Sequence, residues 1–153
     1  MSTIIAESYI LELKAWLKLI SFYKNQTESF KHKLFQAIRV PMLIKDSARL
    51  EAYQVHLMAF QDFLFEIEES ILAQIEQIDI KYIFDDMQKN ESIEHQQILL
   101  RYKMYTAEKK YFSFRNALSQ YLISIFELVI LSKLNKGLSG LHPVGRRSTN
   151  ITV

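Results

Sequence analysis

Fifteen consecutive residues, Arg101 to Arg115, read RYKMYTAEKKYFSFR and interleave cations with rings. Arg101, Lys103, Lys109, Lys110 and Arg115 can neutralise phosphates, while Tyr102, Tyr105, Tyr111 and Phe112 offer flat surfaces for bases to stack on. That combination gives the run a nucleic-acid reading. The same letters also describe a helix whose apolar seam carries aromatics and whose flanks carry cations toward an acidic neighbour. On the second reading the cations pair within the chain and bind nothing else.

Metal and acid/base chemistry find little to work with. A di-iron or di-manganese bundle needs inward glutamates and Glu-x-x-His pairs converging on one point. No Glu-x-x-His occurs in the sequence. His32 and His56 come level if the first two helices fold back on each other, with Glu28 one turn away, but His32 lies off the apolar stripe. With zero cysteines there is no thiol nucleophile, disulfide or cysteine-ligated metal. Neither a P-loop nor a Gly-x-Ser-x-Gly or Gly-x-Gly-x-x-Gly motif is present. Carboxylate pairs such as Glu68 with Glu69, or Asp85 with Asp86, read as a solvated face or turn. The expectation is a non-enzymatic chain with no cofactor and no metal.

The elements that carry these residues follow from spacing. All three glycines and one of the two prolines lie at or beyond Gly137, so long segments run without a breaker. From Asp46 onward Leu50, Tyr53, Leu57, Phe60, Leu64, Ile67, Ile71, Gln74 and Ile78 advance by alternating steps of three and four, the period of a coiled-coil seam. After Asn90 the pattern returns as Ile93, Gln97, Leu100, Met104, Ala107, Tyr111, Phe114, Leu118, Tyr121, Ile125 and Leu128. The first helix offers Ile10, Leu13, Leu17, Ile20, Tyr23, Thr27, Phe30, Leu34 and Ile38, with one irregular step near Tyr23. The fold expected is all-α, an elongated antiparallel three-helix bundle resembling a coiled coil, with helices over about 3–39, 46–84 and 91–136. Pro41 ends the first helix, Asp46 or Ser47 caps the second and Asn90 or Ser92 the third. Gly137 stops the third in a Schellman arrangement, leaving a flexible tail over 138–153.

Folded back antiparallel, helices two and three pair at positions whose numbers sum to 171, as Ile71 with Leu100 and Gln74 with Gln97. Helices one and two pair near 87 or 88, as Tyr23 with Leu64 and Phe30 with Leu57. Both midpoints fall at the expected corners. Charge agrees: residues 1–45 carry +4, residues 46–94 carry −9 and residues 95–153 carry +7, so an acidic helix lies between two basic ones. Glu68 is expected to face Arg101. The two glutamines either bond across the core and fix the register, or sit wet near the bundle end.

A second apolar stripe remains on helix three, at Ile98, Tyr105, Phe112, Leu122, Phe126 and Val129, and on helix two at Met58, Phe65, Leu72 and Ile75. Exposed apolar patches of this kind mark contact surfaces. Alternatively, helix one, through Trp16, Leu19 and Phe22, covers more of them than its seam implies. The function expected is a helical interaction or scaffold module, forming a homo-oligomer with a dimer favoured, or binding another helical protein. Its alternative is a nucleic-acid binder using the basic and aromatic residues of helix three. No signal segment is apparent, and the densest apolar stretch, Tyr121 to Leu131, is too short to span a bilayer, so a cytoplasmic chain with no integral span is expected.

Overall fold

The computed structural model describes residues 1–39, 46–78 and 87–151, with side chains described as far as Leu138. Three helices, α1 (Thr3–Ile38), α2 (Ser47–Gln77) and α3 (Met87–Ile151), pack against one another, and no strand occurs among the described residues. The chain is an all-α antiparallel three-helix bundle. At 1.5 Å per residue α1 is about 54 Å long and α3 about 97 Å, so α3 overhangs the end of the bundle where α1 finishes and α2 begins.

Ser2 caps α1: its Oγ accepts the Ile5 N–H at 3.2 Å. The buried positions Ala6, Tyr9, Leu13, Ile20, Tyr23, Thr27, Phe30, Leu34 and Ala37, with half-buried Trp16 between Leu13 and Ile20, step by three and four throughout. The irregular step expected near Tyr23 is therefore absent. Sequence reading favoured the larger Ile10, Leu17 and Ile38; in the bundle Ile10 and Leu17 are half-buried and Ile38 is exposed, because the inward row runs through smaller alanines and amphipathic rings.

In α2 the seam lies where expected, with Leu50, Leu57, Phe60, Leu64, Ile67, Ile71, Gln74 and Ile78 buried. Asp46 occupies the N-cap position but makes no side-chain cap bond. Its carboxylate instead accepts the Tyr121 hydroxyl at 3.4 Å. The stretch 79–84, expected to continue this helix, and the corner at 85 and 86 lie outside the described residues, as do residues 40–45 of the first corner.

α3 departs from expectation at both ends. It begins at Met87, so Asn90 and Ser92 lie inside its first turns and do not cap it, and Asn90 Oδ1 is buried with no hydrogen-bond partner among the described residues. Nor does it end at Gly137, where a tail was expected to start: the backbone stays helical to Ile151. A terminal glycine turns left-handed when the apolar residue after it has something to pack on. Here Leu138 is 64% exposed, a Cβ added at Gly137 would meet nothing within 4 Å, and no glycine among the described residues has positive φ.

The core divides in two along the rod. One cluster gathers Tyr9, Leu13, Ile20 and Tyr23 with Leu64, Ile67 and Ile71 and with Ile93, Leu100, Ala107 and Tyr111. The other joins Phe30, Leu34 and Ala37 to Leu50 and Leu57 and to Leu118, Tyr121 and Ile125. Beyond Ile125 the seam of α3 loses its partners, and Leu128, expected in it, is 50% exposed.

Candidate interaction surface

Polar contacts fix which flank of each helix faces which neighbour. Arg101 Nε donates to both carboxylate oxygens of Glu12, at 2.9 and 3.1 Å, on the α1 side of α3. Lys24 Nζ reaches Glu68 at 2.9 Å and Gln61 Nε2 reaches Glu28 at 3.1 Å, both on the α1 side of α2. The expected Glu68 to Arg101 contact is thus replaced by two pairs that each join α1 to a different neighbour. Both residues occupy α1-facing flanks, so α1 intervenes between them.

A buried polar layer crosses the first cluster. Gln74 and Gln97 are 1% and 0% exposed, and Gln74 Nε2 donates to Gln97 Oε1 at 3.2 Å and to the Ile93 carbonyl at 2.8 Å. Gln97 Nε2 donates onward to Glu12 Oε1 at 2.8 Å, and Glu12 holds Arg101. This is the dry, register-fixing arrangement, and it joins all three helices. The Glu12 hydrogen bond holds the Arg101 pKa above its usual value.

The nominated partner residues fall on two faces. At about 100° per residue Met58, Phe65 and Leu72 share the flank of Gln61 and Glu68, whose partners lie on α1. They are 58%, 56% and 44% exposed, whereas Ile75 packs partly against the core. Ile98, Tyr105, Phe112 and Phe126 recur at multiples of seven on α3, on the side of Arg101, and are exposed. Leu19 and Phe22 of α1 are exposed as well, beside this second face rather than over it. Phe22 stands 5.9 Å from the Tyr111 ring, which stands 5.4 Å from Phe112. Leu122 and Val129 leave the proposed surface, since both pack partly against the second core cluster.

The five cations of the Arg101 to Arg115 run are not brought to one face. Residues two apart on a helix are turned by about 200°, so Lys103 and Lys110 point toward α2 while Arg101 and Arg115 point toward α1. Lys109 lies over the Tyr105 ring at 4.3 Å and Lys110 over Phe63 at 4.4 Å. Of the rings of the same run, Tyr105 seats Lys109 and Tyr111 is core at 3% exposure, while Tyr102 and Phe112 are exposed. His32 contacts Gln36 at 3.5 Å, a local helix contact. Burial raises the pKa of Tyr23, with Glu108 and Tyr111 adding to it, and burial followed by Asp46 does the same for Tyr121.

One feature escaped the sequence reading. α3 holds an 18-residue stretch long and apolar enough to cross a bilayer by length and composition, only 17% of it buried. Averaging over a longer window than Tyr121 to Leu131 would have found it. No protein-family model, curated protein or solved structure matches this chain.

Proposed function

We propose that the chain is a helical interaction module that forms a C2 dimer through the α3 face carrying Ile98, Tyr105, Phe112 and Phe126. The observation that carries this reading is a row of large apolar side chains, each between 45% and 70% exposed, spaced at multiples of seven. Together with Leu19 and Phe22 these residues expose about 600 Å² of mostly apolar surface, most of the roughly 800 Å² per partner that a stable interface buries.

The row is self-complementary in one antiparallel register. With the two-fold axis at Phe112, Ile98 meets Phe126 of the second copy, Tyr105 meets its Ser119, and the Phe112 rings meet each other. Antiparallel helices related by such an axis match like flanks. Glu108 and Arg115, a heptad apart on the α1-side flank, are exposed, and neither makes an ion pair among the described residues. This register brings them together twice. The splitting of the cations between two flanks supports this reading over the nucleic-acid alternative.

Sedimentation equilibrium tests it. The wild type is expected at twice 18.1 kDa and Phe112→Glu at 18.1 kDa with unchanged circular dichroism. Glu108→Arg should weaken the dimer, and adding Arg115→Glu should restore it. A monomeric wild type, or a Phe112→Glu dimer, refutes the proposal.

A further inference from the structure

The overhang of α3 reverses its amphipathicity where the bundle ends. Up to Ile125 the inward row of α3 is apolar, through Leu118, Tyr121 and Ile125. Continued past that point at about 100° per residue, the same row passes between half-exposed Leu128 and half-buried Val129 and then reaches Ser132 and Lys136. The opposite side becomes apolar instead: Ile130, Leu131, Leu134 and Leu138, with Phe126 at the edge, fill an arc of about 140°. All five are exposed, by 47% to 70%. This arc is not an unused part of the core seam, because it is turned about half a circumference away from it.

Charge changes at the same place. Glu127 is the last acidic residue of the sequence, and after it come Lys133, Lys136, Arg146 and Arg147. Residues 128–153 therefore carry +4. A second overhang would bring +4 against +4, which disfavours pairing of one overhang with another. Nucleic acid would satisfy the cations but leave the leucines in water. A helix with an aliphatic arc and lysines on the remaining sector suits the boundary between acyl chains and anionic headgroups.

We infer that the overhang of α3 from about Phe126 to Leu138 binds an anionic lipid surface, lying in the headgroup boundary with Ile130, Leu134 and Leu138 toward the acyl chains and Lys133 and Lys136 toward the headgroups. The segment does not cross the bilayer while the bundle is folded. Thirteen residues span about 20 Å, short of a hydrocarbon core of about 30 Å. Leu118, Tyr121 and Ile125, which a crossing would need, are committed to α1 and α2. In the two-fold register this side of α3 lies beside the first turns of the second copy's α3, so lipid and the second copy compete for it.

Vesicle flotation with the full chain tests it, using phosphatidylcholine alone and phosphatidylcholine mixed with phosphatidylglycerol. The wild type should float with the mixed vesicles and more weakly with the neutral ones. Ile130→Glu and Leu134→Glu should each lower binding by at least about tenfold, and circular dichroism should show the helices kept. Changing Lys133 and Lys136 together to glutamine should lower binding to the mixed vesicles by about 30-fold, with little effect on neutral ones. Wild type that stays unbound to both vesicles overturns the inference, as does equal binding to both. Binding that survives Ile130→Glu and Leu134→Glu also overturns it, as does a monomeric Phe112→Glu chain that stays unbound to the mixed vesicles.

Discussion

Replacing both core glutamines, Gln74→Leu with Gln97→Leu, should stabilise the bundle. In the wild type Gln74 Oε1 is buried with no partner among the described residues, a state that costs about 1–3 kcal/mol. The double change removes that atom. The groups it deserts are provided for: the carbonyls of Ile93 and of Tyr9, which accepts Gln97 Nε2 at 3.4 Å, lie within helices and keep their bonds to the fourth N–H onward, and Glu12 keeps Arg101 at 2.9 Å. The lost bonds, worth about 1 kcal/mol each and about 1.5–3 kcal/mol for the one to the Glu12 carboxylate, are offset by the orphan's removal and by two leucines in positions 1% and 0% exposed. A net gain of about 1–2 kcal/mol follows. The single changes behave differently. Gln74→Leu exchanges one orphaned oxygen for another, Gln97 Oε1, and should be near neutral; Gln97→Leu keeps the original orphan and loses the Glu12 bond, about 1 kcal/mol destabilising. Urea unfolding of the four proteins, with equal m-values, measures the cycle. A double variant less stable than wild type, or one equal to the sum of its singles, refutes the reasoning.

Two further outcomes follow from local features. Gly137→Ala should increase helicity and local exchange protection by up to about 1 kcal/mol, because Gly137 lies in a continuing helix with free space around it; a left-handed terminal glycine would instead give a loss. Tyr9, Tyr23 and Tyr121 all have pKa values raised above 10.0, chiefly by burial. The folded chain therefore holds these protons more tightly than the unfolded one. Their contribution is full below pH 10 and is lost as pH rises from there through the folded-state values, so urea midpoints should fall above pH 10 and show no tyrosine-linked change between pH 7 and 9.

The seams of α2 and α3 were readable because nothing competes with their three-four alternation, and the 171 register was readable because it pairs glutamine with glutamine. The α1 seam shifts by one position from Ile10, Leu17 and Ile38 to Tyr9, Trp16 and Ala37, since hydrophobicity ranks isoleucine and leucine above tyrosine, tryptophan and alanine. Close helix approach favours the smaller Ala6 and Ala37. The ion pairs were missed for another reason: two-helix arithmetic cannot say on which side the third helix lies. That same handedness separates the Met58 row from the Tyr105 row and splits the cations of the Arg101 to Arg115 run. Gly137 misled because a glycine permits a helix end without imposing one.

The two proposed surfaces lie on one side of α3. At about 100° per residue Ile130 falls in line with Phe112 and Leu134 with Ile98. A two-fold axis at Phe112, perpendicular to α3, turns the contact faces toward each other, so each overhang runs beside the first turns of the second copy's α3, with Ile130 level with its Glu94 and Leu134 with its Asn90. Lipid and a second copy therefore compete for this side of the helix, and binding of one shifts the other by mass action. Phe112→Glu, which frees the face, should float with mixed vesicles more strongly than wild type at concentrations where sedimentation shows the wild type dimeric, and its binding should remain sensitive to Leu134→Glu. Equal or weaker flotation by Phe112→Glu under those conditions would break the competition: the overhangs would then have to bind lipid from within the dimer.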